Sequence, residues 1–260
     1  MNLRTVLYHE SDNITTITLN RPEKRNAISY ELIDDLIAAL HHAANASPNI
    51  VILTGAGSAF CAGMDLENLK ELIGRSDEQS LRDSQTMAGL FRELYDFPKV
   101  TIAAVNGAAI AGGTALATLC DFTLAVPEAK FGYTEVRIGF VPGIVSSYLI
   151  ANVGEKIGRD LLLTGRLFDA EEARQLRLVN EVVPAAQLMF RAHKLAQQLM
   201  EISPASLKAT KSLLSSYTTD LLDRQLVRAI KENAAIRQTA DFKEGVSSFL
   251  ERRKPKWTTK

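Results

Sequence analysis

Apolar residues along the chain recur with two spacings. Short runs of β-branched or small apolar residues at 14–19 (ITTITL), 50–54 (IVILT) and 102–105 (IAAV) have the length and the bounding turn residues of strands. Between them, apolar positions recur three and four apart. Leu32, Ile33, Leu36, Ile37 and Leu40 follow a capping Ser29, and Met87, Leu90, Phe91 and Leu94 lead up to Pro98. The first of these helices is expected to end near 45–48, and the charged stretch 74–83 reads as a mobile helix or loop. Strand-loop-helix-strand repetition of this kind predicts an α/β fold built on a mostly parallel sheet. Beyond Gly143 strand-like runs nearly vanish, apart from 178–183. Helical spacing takes over at 147–153, 156–163, 170–176, 184–201, 203–216, 218–235 and 241–252. A helical C-terminal third can cover the sheet or assemble subunits, and spacing leaves both open.

The rest of the chain is organised around residues 100–143. A buried strand there ends at Asn106-Gly107, and Gly112-Gly113 opens a helix carrying Leu116, Leu119 and Cys120. Paired glycines at a helix start let a ligand approach the main chain and leave N–H groups pointing outward, although a tight packing turn has the same composition. A similar loop follows the strand at 50–54. In GAGSAFCAGMDLENL, Asp65 can cap a helix beginning at Leu66, which leaves the main chain of Ala62, Gly63 and Met64 open to a ligand. This loop lacks the glycine spacing of a dinucleotide fingerprint and the Lys-Ser/Thr of a P-loop. One carboxylate, Glu135, stands among Tyr133, Val136, Ile138 and Phe140. Two N–H donors aimed at one oxygen stabilise an enolate or a tetrahedral oxyanion. A carboxyl in apolar surroundings has its pKa raised toward neutrality, which suits proton transfer at carbon beside a carbonyl. A simpler role for Glu135 is a cap or an ion pair with Arg137.

Composition narrows the partners. The 260 residues suffice for one large domain, and 46% apolar with 23% charged content is ordinary for a globular chain. Thirty basic and thirty acidic residues cancel, so no nucleic acid and no membrane surface is expected as a partner. No run has the length of a membrane span and the N-terminus lacks a signal pattern, so the expected location is cytoplasmic. Cys61 and Cys120 read as small buried hydrophobes. His9, His41, His42 and His193 read as structural or solvated, and no metal site is expected. Ser146 and Ser147 read as helix-start residues rather than nucleophiles. Tyr133 either shapes a pocket or fills core.

Taken together, LNRPEKRNAIS, FCAGMDL, VTIAAVNGAAIAGGTALATLCD, KFGYTEVRIGFVPG, LLLTGRLFDAEEARQLRLVNEVVP and FLERRKPKW resemble the enoyl-CoA hydratase/isomerase (crotonase) family over nearly the whole chain. The resemblance implies a crotonase-like (ClpP/crotonase) α/β fold. Repeated ββα units would form a spiral core at 1–195, and 196–260 would be a helical oligomerisation region making a trimer or a dimer of trimers. It also implies an acyl-CoA thioester substrate and no resident cofactor, coenzyme A being part of the substrate. The N–H groups of Met64 and Gly112 would form the thioester oxyanion hole, with Glu135 as acid and base. The main chain of Ala62, Gly63, Asp65 and Leu66 would lie along the adenine and pantetheine. Arg25, with Ala27 beside it, would stand near the CoA phosphates and ribose, where a solvated loop cation is the plainer reading. Lys256 would reach CoA across a subunit boundary.

One position departs from the family pattern. Two-glutamate hydratases carry their first glutamate where this chain has Ala115. Hydration of a 2-enoyl-CoA would then rest on Glu135 alone. A single base also suits isomerisation of a 3-enoyl-CoA, while the wording of YTEVRIGFVPGIV resembles hydratases. A non-catalytic acyl-CoA-binding or RNA-binding member is the third reading, and neutral net charge argues against RNA.

Overall fold

The computed structural model describes residues 3–258; Thr259 and Lys260, which end the cationic tail, lie outside the described residues, as do Met1 and Asn2. Strands β1 (Val6–Ser11) and β2 (Ile14–Leu19) form an antiparallel hairpin through Asp12 and Asn13, both at positive φ as a tight hairpin turn requires. Helix α1 (Tyr30–Asn45) starts where Ser29 Oγ accepts the Leu32 N–H at 3.2 Å, and β3 (Ile50–Gly55) then runs parallel to β2. From here a unit repeats. Strand β3 is followed by β4 (Ala59–Cys61), α2 (Leu66–Glu71) and α3 (Asp77–Tyr95). The next unit is β5 (Val100–Val105), β6 (Ala108–Ile110) and α4 (Gly112–Thr118). A third is β7 (Phe122–Ala125), β8 (Lys130–Gly132), a 3-10 turn at Glu135–Ile138, and α5 (Gly143–Thr164). The chain closes with β9 (Phe168–Asp169), α6 (Ala170–Gln175), β10 (Glu181–Val182), α7 (Leu188–Met200), α8 (Pro204–Ser216), α9 (Thr219–Ala235) and α10 (Ala240–Leu250).

The first strand of each unit enters one sheet and the second strand enters another. The six-stranded sheet has the order β1-β2-β3-β5-β7-β10, and the four-stranded sheet β4-β6-β8-β9. That is the spiral of ββα units the sequence implied. All six residues of β5 and the first five of β3 are buried, as expected of central parallel strands covered on both faces.

The structure differs from the pattern reading in local ways. Strand β1 went unpredicted because it is an edge strand with polar and partly exposed residues, so its alternation is weak. The second sheet went unpredicted because β4, β6 and β8 have three residues each, too short for any period to register. Of the two forms expected for 74–83, helix or loop, most of the stretch takes the helix. Ser76 and Gln79 form a reciprocal capping box that starts α3 at Asp77 and joins it to the amphipathic segment. The helices expected at 147–153 and 156–163 are the two arms of α5, kinked at Gly154, whose φ is 77°. Residue 195, the expected boundary between core and helical region, lies inside α7.

Parallel strands β3, β5 and β7 all end on one side of the large sheet. The short strands of the second sheet carry the chain on to loops 62–65, 111–113 and 133–139. Helix α10 packs on α2 and on the 3-10 turn at Glu135–Ile138, so part of the C-terminal helical region covers the chain's own loops.

Candidate active site

Two loops form one wall. Ile28 and Met64 make an isolated parallel bridge, in which the Ile28 N–H donates to Gly63 O at 2.7 Å and the Asp65 N–H donates to Ile28 O at 2.9 Å. In such a bridge the central residue's own N–H points away from the partner, so Met64 presents its donor to the opposite side. The second loop follows β6. The Ala111 N–H donates to Gly132 O at 2.7 Å, and Ala111 takes φ 51°, ψ −118°, a strained conformation for a residue with a Cβ. Gly112 is then the first residue of α4, where the N–H has no partner within the helix. The loops touch. A Cβ on Gly63 would stand 3.0 Å from Ile110 O, and one on Gly113 would stand 2.2 Å from Cys61 O, so neither tolerates a side chain.

Glu135 is held by the third loop. Strand β8 pairs with β6 in the register Ile110↔Gly132, which sets the loop after β8 beside the Gly112 loop. Thr114 fastens this join from below, donating from Oγ1 to Ala109 O at 2.6 Å and accepting the Gly132 N–H at 3.1 Å. Glu135 opens the 3-10 turn, and its main-chain oxygen accepts the Phe140 N–H at 3.1 Å. Its side-chain Oε2 is sealed from solvent and has no hydrogen-bond partner. Burial pushes its pKa up to about 7, only partly offset by its own N–H. Arg137, its expected ion-pair partner in the plainer reading, is exposed, and no ion pair joins them among the described residues. A carboxyl at this pKa both takes and gives a proton near neutrality.

The other expected site residues spread around this centre. Ala62 donates its N–H to Arg25 O at 3.0 Å, so the two loops that would flank CoA are tied by main chain. Arg25 has φ 51° and an exposed side chain, whereas Ala27 is buried and accepts from Arg21 Nη1 at 2.7 Å. Asp65 caps α2 by accepting the Glu67 N–H at 2.9 Å, and Arg21 pairs with it at 2.8 Å. Burial opposes its ionisation, yet the Glu67 N–H and Arg21 hold its carboxyl below the usual range. Asp65 is thus tied up in structure, and only its main chain faces the loop. Leu66 exposes 55% of its surface beside it. Lys256 lies on the tail laced along α10, its N–H donating to Glu244 Oε1 at 2.6 Å and its side chain exposed. Ala115 is buried on α4 and offers no proton-carrying group. Tyr133 is core, its hydroxyl 3.3 Å from Thr118 Oγ1. Both cysteines are buried, and burial pushes each thiol up to about 12. No metal-holding cluster of His, Cys, Asp and Glu occurs among the described residues.

Two positioning residues escaped the sequence reading. Asn26, fully buried at φ 55°, accepts the Arg21 N–H at 2.9 Å and donates to Ala56 O and Ala59 O at 2.9 and 2.8 Å. It clamps the Arg21–Ala27 loop to the turn leading into β4. Arg21, one of three cations in that loop, alone turns inward. The αL tolerance of Asn was the available signal for the first, and nothing local distinguishes the second.

Residues 9–260 match the family described as Enoyl-CoA hydratase/isomerase. A Thermus thermophilus protein named as a candidate enoyl-CoA hydratase is 42% identical over 95% of this chain and 98% of its own length. The 2,3-dehydroadipyl-CoA hydratase of Escherichia coli is 32% identical over 96% of this chain and 97% of its own. The crystal structure of an enoyl-CoA hydratase/isomerase from Xanthobacter autotrophicus Py2 superposes with a TM-score of 0.90 at 31% identity, covering 96% of this chain and 94% of that one. With the two-loop wall, the buried carboxyl and the ββα spiral on one chain, this protein is an enzyme of crotonase-like fold and belongs to the enoyl-CoA hydratase/isomerase family.

Proposed function

We propose that the protein adds water to, or removes it from, a 2-enoyl-CoA thioester. The observation that carries this reading is Glu135 Oε2, buried and unpartnered at a pKa of about 7, in the loop set beside the Met64 and Gly112 N–H groups. Ionised Glu135 takes a proton from water as the water oxygen bonds to C3. The C2–C3 π electrons pass toward the thioester oxygen, where the Met64 and Gly112 N–H groups hold the enolate charge. Losing one such donor costs about 10²–10³ in rate. Glu135 then returns the same proton to C2, and atoms and charge balance without a resident cofactor. Exposed Leu66 and Arg25 suit the adenine and phosphates of CoA, with Lys256 as a further cation.

Ala115 supports a second reading. With no carboxyl on α4 to grip the water from the other side, Glu135 alone could remove the α-proton of a 3-enoyl-CoA and return it to the γ-carbon. A panel of 2-enoyl and 3-enoyl esters decides. Loss of the conjugated-thioester absorbance of crotonyl-CoA on adding enzyme supports hydration. No loss there, with conversion of a 3-enoyl-CoA, establishes the isomerase. Binding without either turnover points to a non-catalytic acyl-CoA-binding member. Exposed Leu213 and Leu214 on α8, Tyr217 just after it and Leu221 on α9 suit a subunit contact in a trimer or dimer of trimers, which light scattering tests.

A further inference from the structure

Helix α10 meets the Glu135 turn main chain against main chain. Thr239 starts the helix by accepting the Phe242 N–H at 3.1 Å, and Phe242, Gly245 and Val246, at i, i+3 and i+4, share one face. On that face Gly245 is pressed against the turn. A Cβ there would stand 2.2 Å from Ile138 O, 2.3 Å from Ile138 C and 2.9 Å from Gly139 N. The turn answers in kind. Gly139 ends it at φ 67°, and a Cβ on Gly139 would stand 2.5 Å from Asp241 O at the start of α10. The nearest atoms in both contacts are backbone, so neither can yield by rotation of a side chain.

The same helix bears on the Met64 loop. Leu69 of α2, Leu72 just after it, and Phe242 and Val246 of α10 form an apolar cluster separate from the main core. Met64 packs against this cluster, and so does Phe140, whose ring lies 5.3 Å from that of Phe242. The Phe140 N–H is also the donor to Glu135 O at 3.1 Å, so a shift of Phe140 is passed to the Glu135 main chain. We propose that α10 is the positioning element for proton transfer, with Gly245 as the residue that lets it lie against the Ile138 carbonyl and so sets where the Glu135 carboxyl stands. This inference rests on the reading of Glu135 as acid and base. A methyl at 245 forces the two backbones apart by about 1 Å, and misplacing a catalytic group by that much costs about 10² in rate. Parting them also loosens the seal over Glu135 Oε2. Burial is what raises the pKa of that carboxyl to about 7, so a looser seal lowers it toward the ordinary 4.5.

The test is the pH profile of turnover for wild type, Gly245→Ala and Gly89→Ala, on crotonyl-CoA or on a 3-enoyl-CoA, whichever wild type converts. Gly89 on α3 has nothing within 4 Å of its Cβ position, so its alanine controls for the substitution itself. Gly245→Ala should lose about 10² in kcat with KM little changed, and its inflection should move down from about 7. Gly89→Ala should match wild type in both. A folded Gly245→Ala with wild-type kcat overturns the proposal. So does a loss of kcat with the inflection unmoved, which a merely looser fold would give. Where thermal melts show that Gly245→Ala does not fold, Phe242→Leu loosens the same join at Phe140 and should move the inflection the same way; an unmoved inflection there also overturns the proposal. Full activity of Glu135→Gln overturns the acid-base reading itself, and this inference with it.

Discussion

Ile28 and Met64 face each other in a bridge whose two hydrogen bonds both run through the neighbours of Met64, at 2.7 and 2.9 Å. The bridge fixes the Met64 peptide while leaving its N–H unused by Ile28. Native-state hydrogen exchange separates these two amides. The Asp65 amide, bonded to Ile28 O, should exchange slowly in the free protein. The Met64 amide should exchange faster and become protected when a saturated acyl-CoA binds, with Gly112 following it. Equal protection of Met64 with and without ligand would remove it from the proposed oxyanion hole.

Glu135 predicts a pH profile of a particular shape. One carboxylate that takes a proton from water and returns it to carbon starts and ends each turnover ionised, in either direction. The kcat/KM of hydration and of dehydration should therefore fall together, about tenfold per pH unit below about 7, and level off above it. A bell in either direction would require a second titrating group. Glu135→Gln should lose about 10²–10⁴ in kcat/KM while still binding acyl-CoA. Stability gives the sign check. A folded pKa raised from 4.5 to about 7 means the native state holds its proton longer than the unfolded chain. Stability then falls as pH rises through that window and stays lower above it. Glu135→Gln should flatten this slope and be the more stable form above pH 7, by up to about 3 kcal/mol at the conversion of one pH unit to 1.36 kcal/mol. Denaturant melts at pH 5 and 8 measure the difference.

The residues that could be seen in the sequence share a property: their signal is local. The strand 50–54 stands out because both its faces are buried and every residue is apolar or β-branched. Glu135 stands out because it is the single acid in an otherwise largely apolar stretch, and its Oε2 is in fact buried. The clamp made by Asn26 joins positions thirty and thirty-three residues apart, and the ion pair of Arg237 with Asp83 joins positions more than one hundred and fifty apart. No period or motif carries such pairings. The short strands of the second sheet were missed for a different reason, since three residues that each continue a glycine-rich loop have neither length nor alternation.

Arg21 and Asp65 form the ion pair that ties the entry loop to the start of α2, at 2.8 Å and largely out of solvent. Arg21→Met leaves a buried carboxylate with only the Glu67 N–H and releases Ala27 O as well. Breaking one partner of such a pair costs about 3–5 kcal/mol. The folded carboxyl of Asp65 is held below its ordinary 3.8, so this stability is present above that value and is lost as pH falls through the lower folded one. The gap between wild type and Arg21→Met in denaturant melts should be widest near neutral pH and should narrow below about pH 4. A gap unchanged from pH 7 to pH 3 would mean that packing by the arginine stem, not its charge, holds the loop.

Gly112 and Gly113 are adjacent on α4 but have opposite tolerances. A Cβ on Gly113 would overlap the Cys61 carbonyl at 2.2 Å, main chain that cannot step aside without moving the Ala62–Asp65 loop. Gly113→Ala should therefore separate the two loops of the proposed oxyanion hole and lower Tm, with a loss at the upper end of the roughly 1–3 kcal/mol that overpacking costs. A Cβ on Gly112 meets only the Ile28 δ-methyl at 3.0 Å and the Phe91 ring at 3.5 Å, and both are side-chain atoms. Gly112→Ala should melt close to wild type while its methyl narrows the space in front of the N–H. Its expected signature is a rise in KM for bulky acyl groups with little change in Tm. Thermal melts paired with kinetics on short and long acyl esters check both variants. Equal loss of Tm in the two would show that the wall in front of Gly112 is as unyielding as the carbonyl behind Gly113.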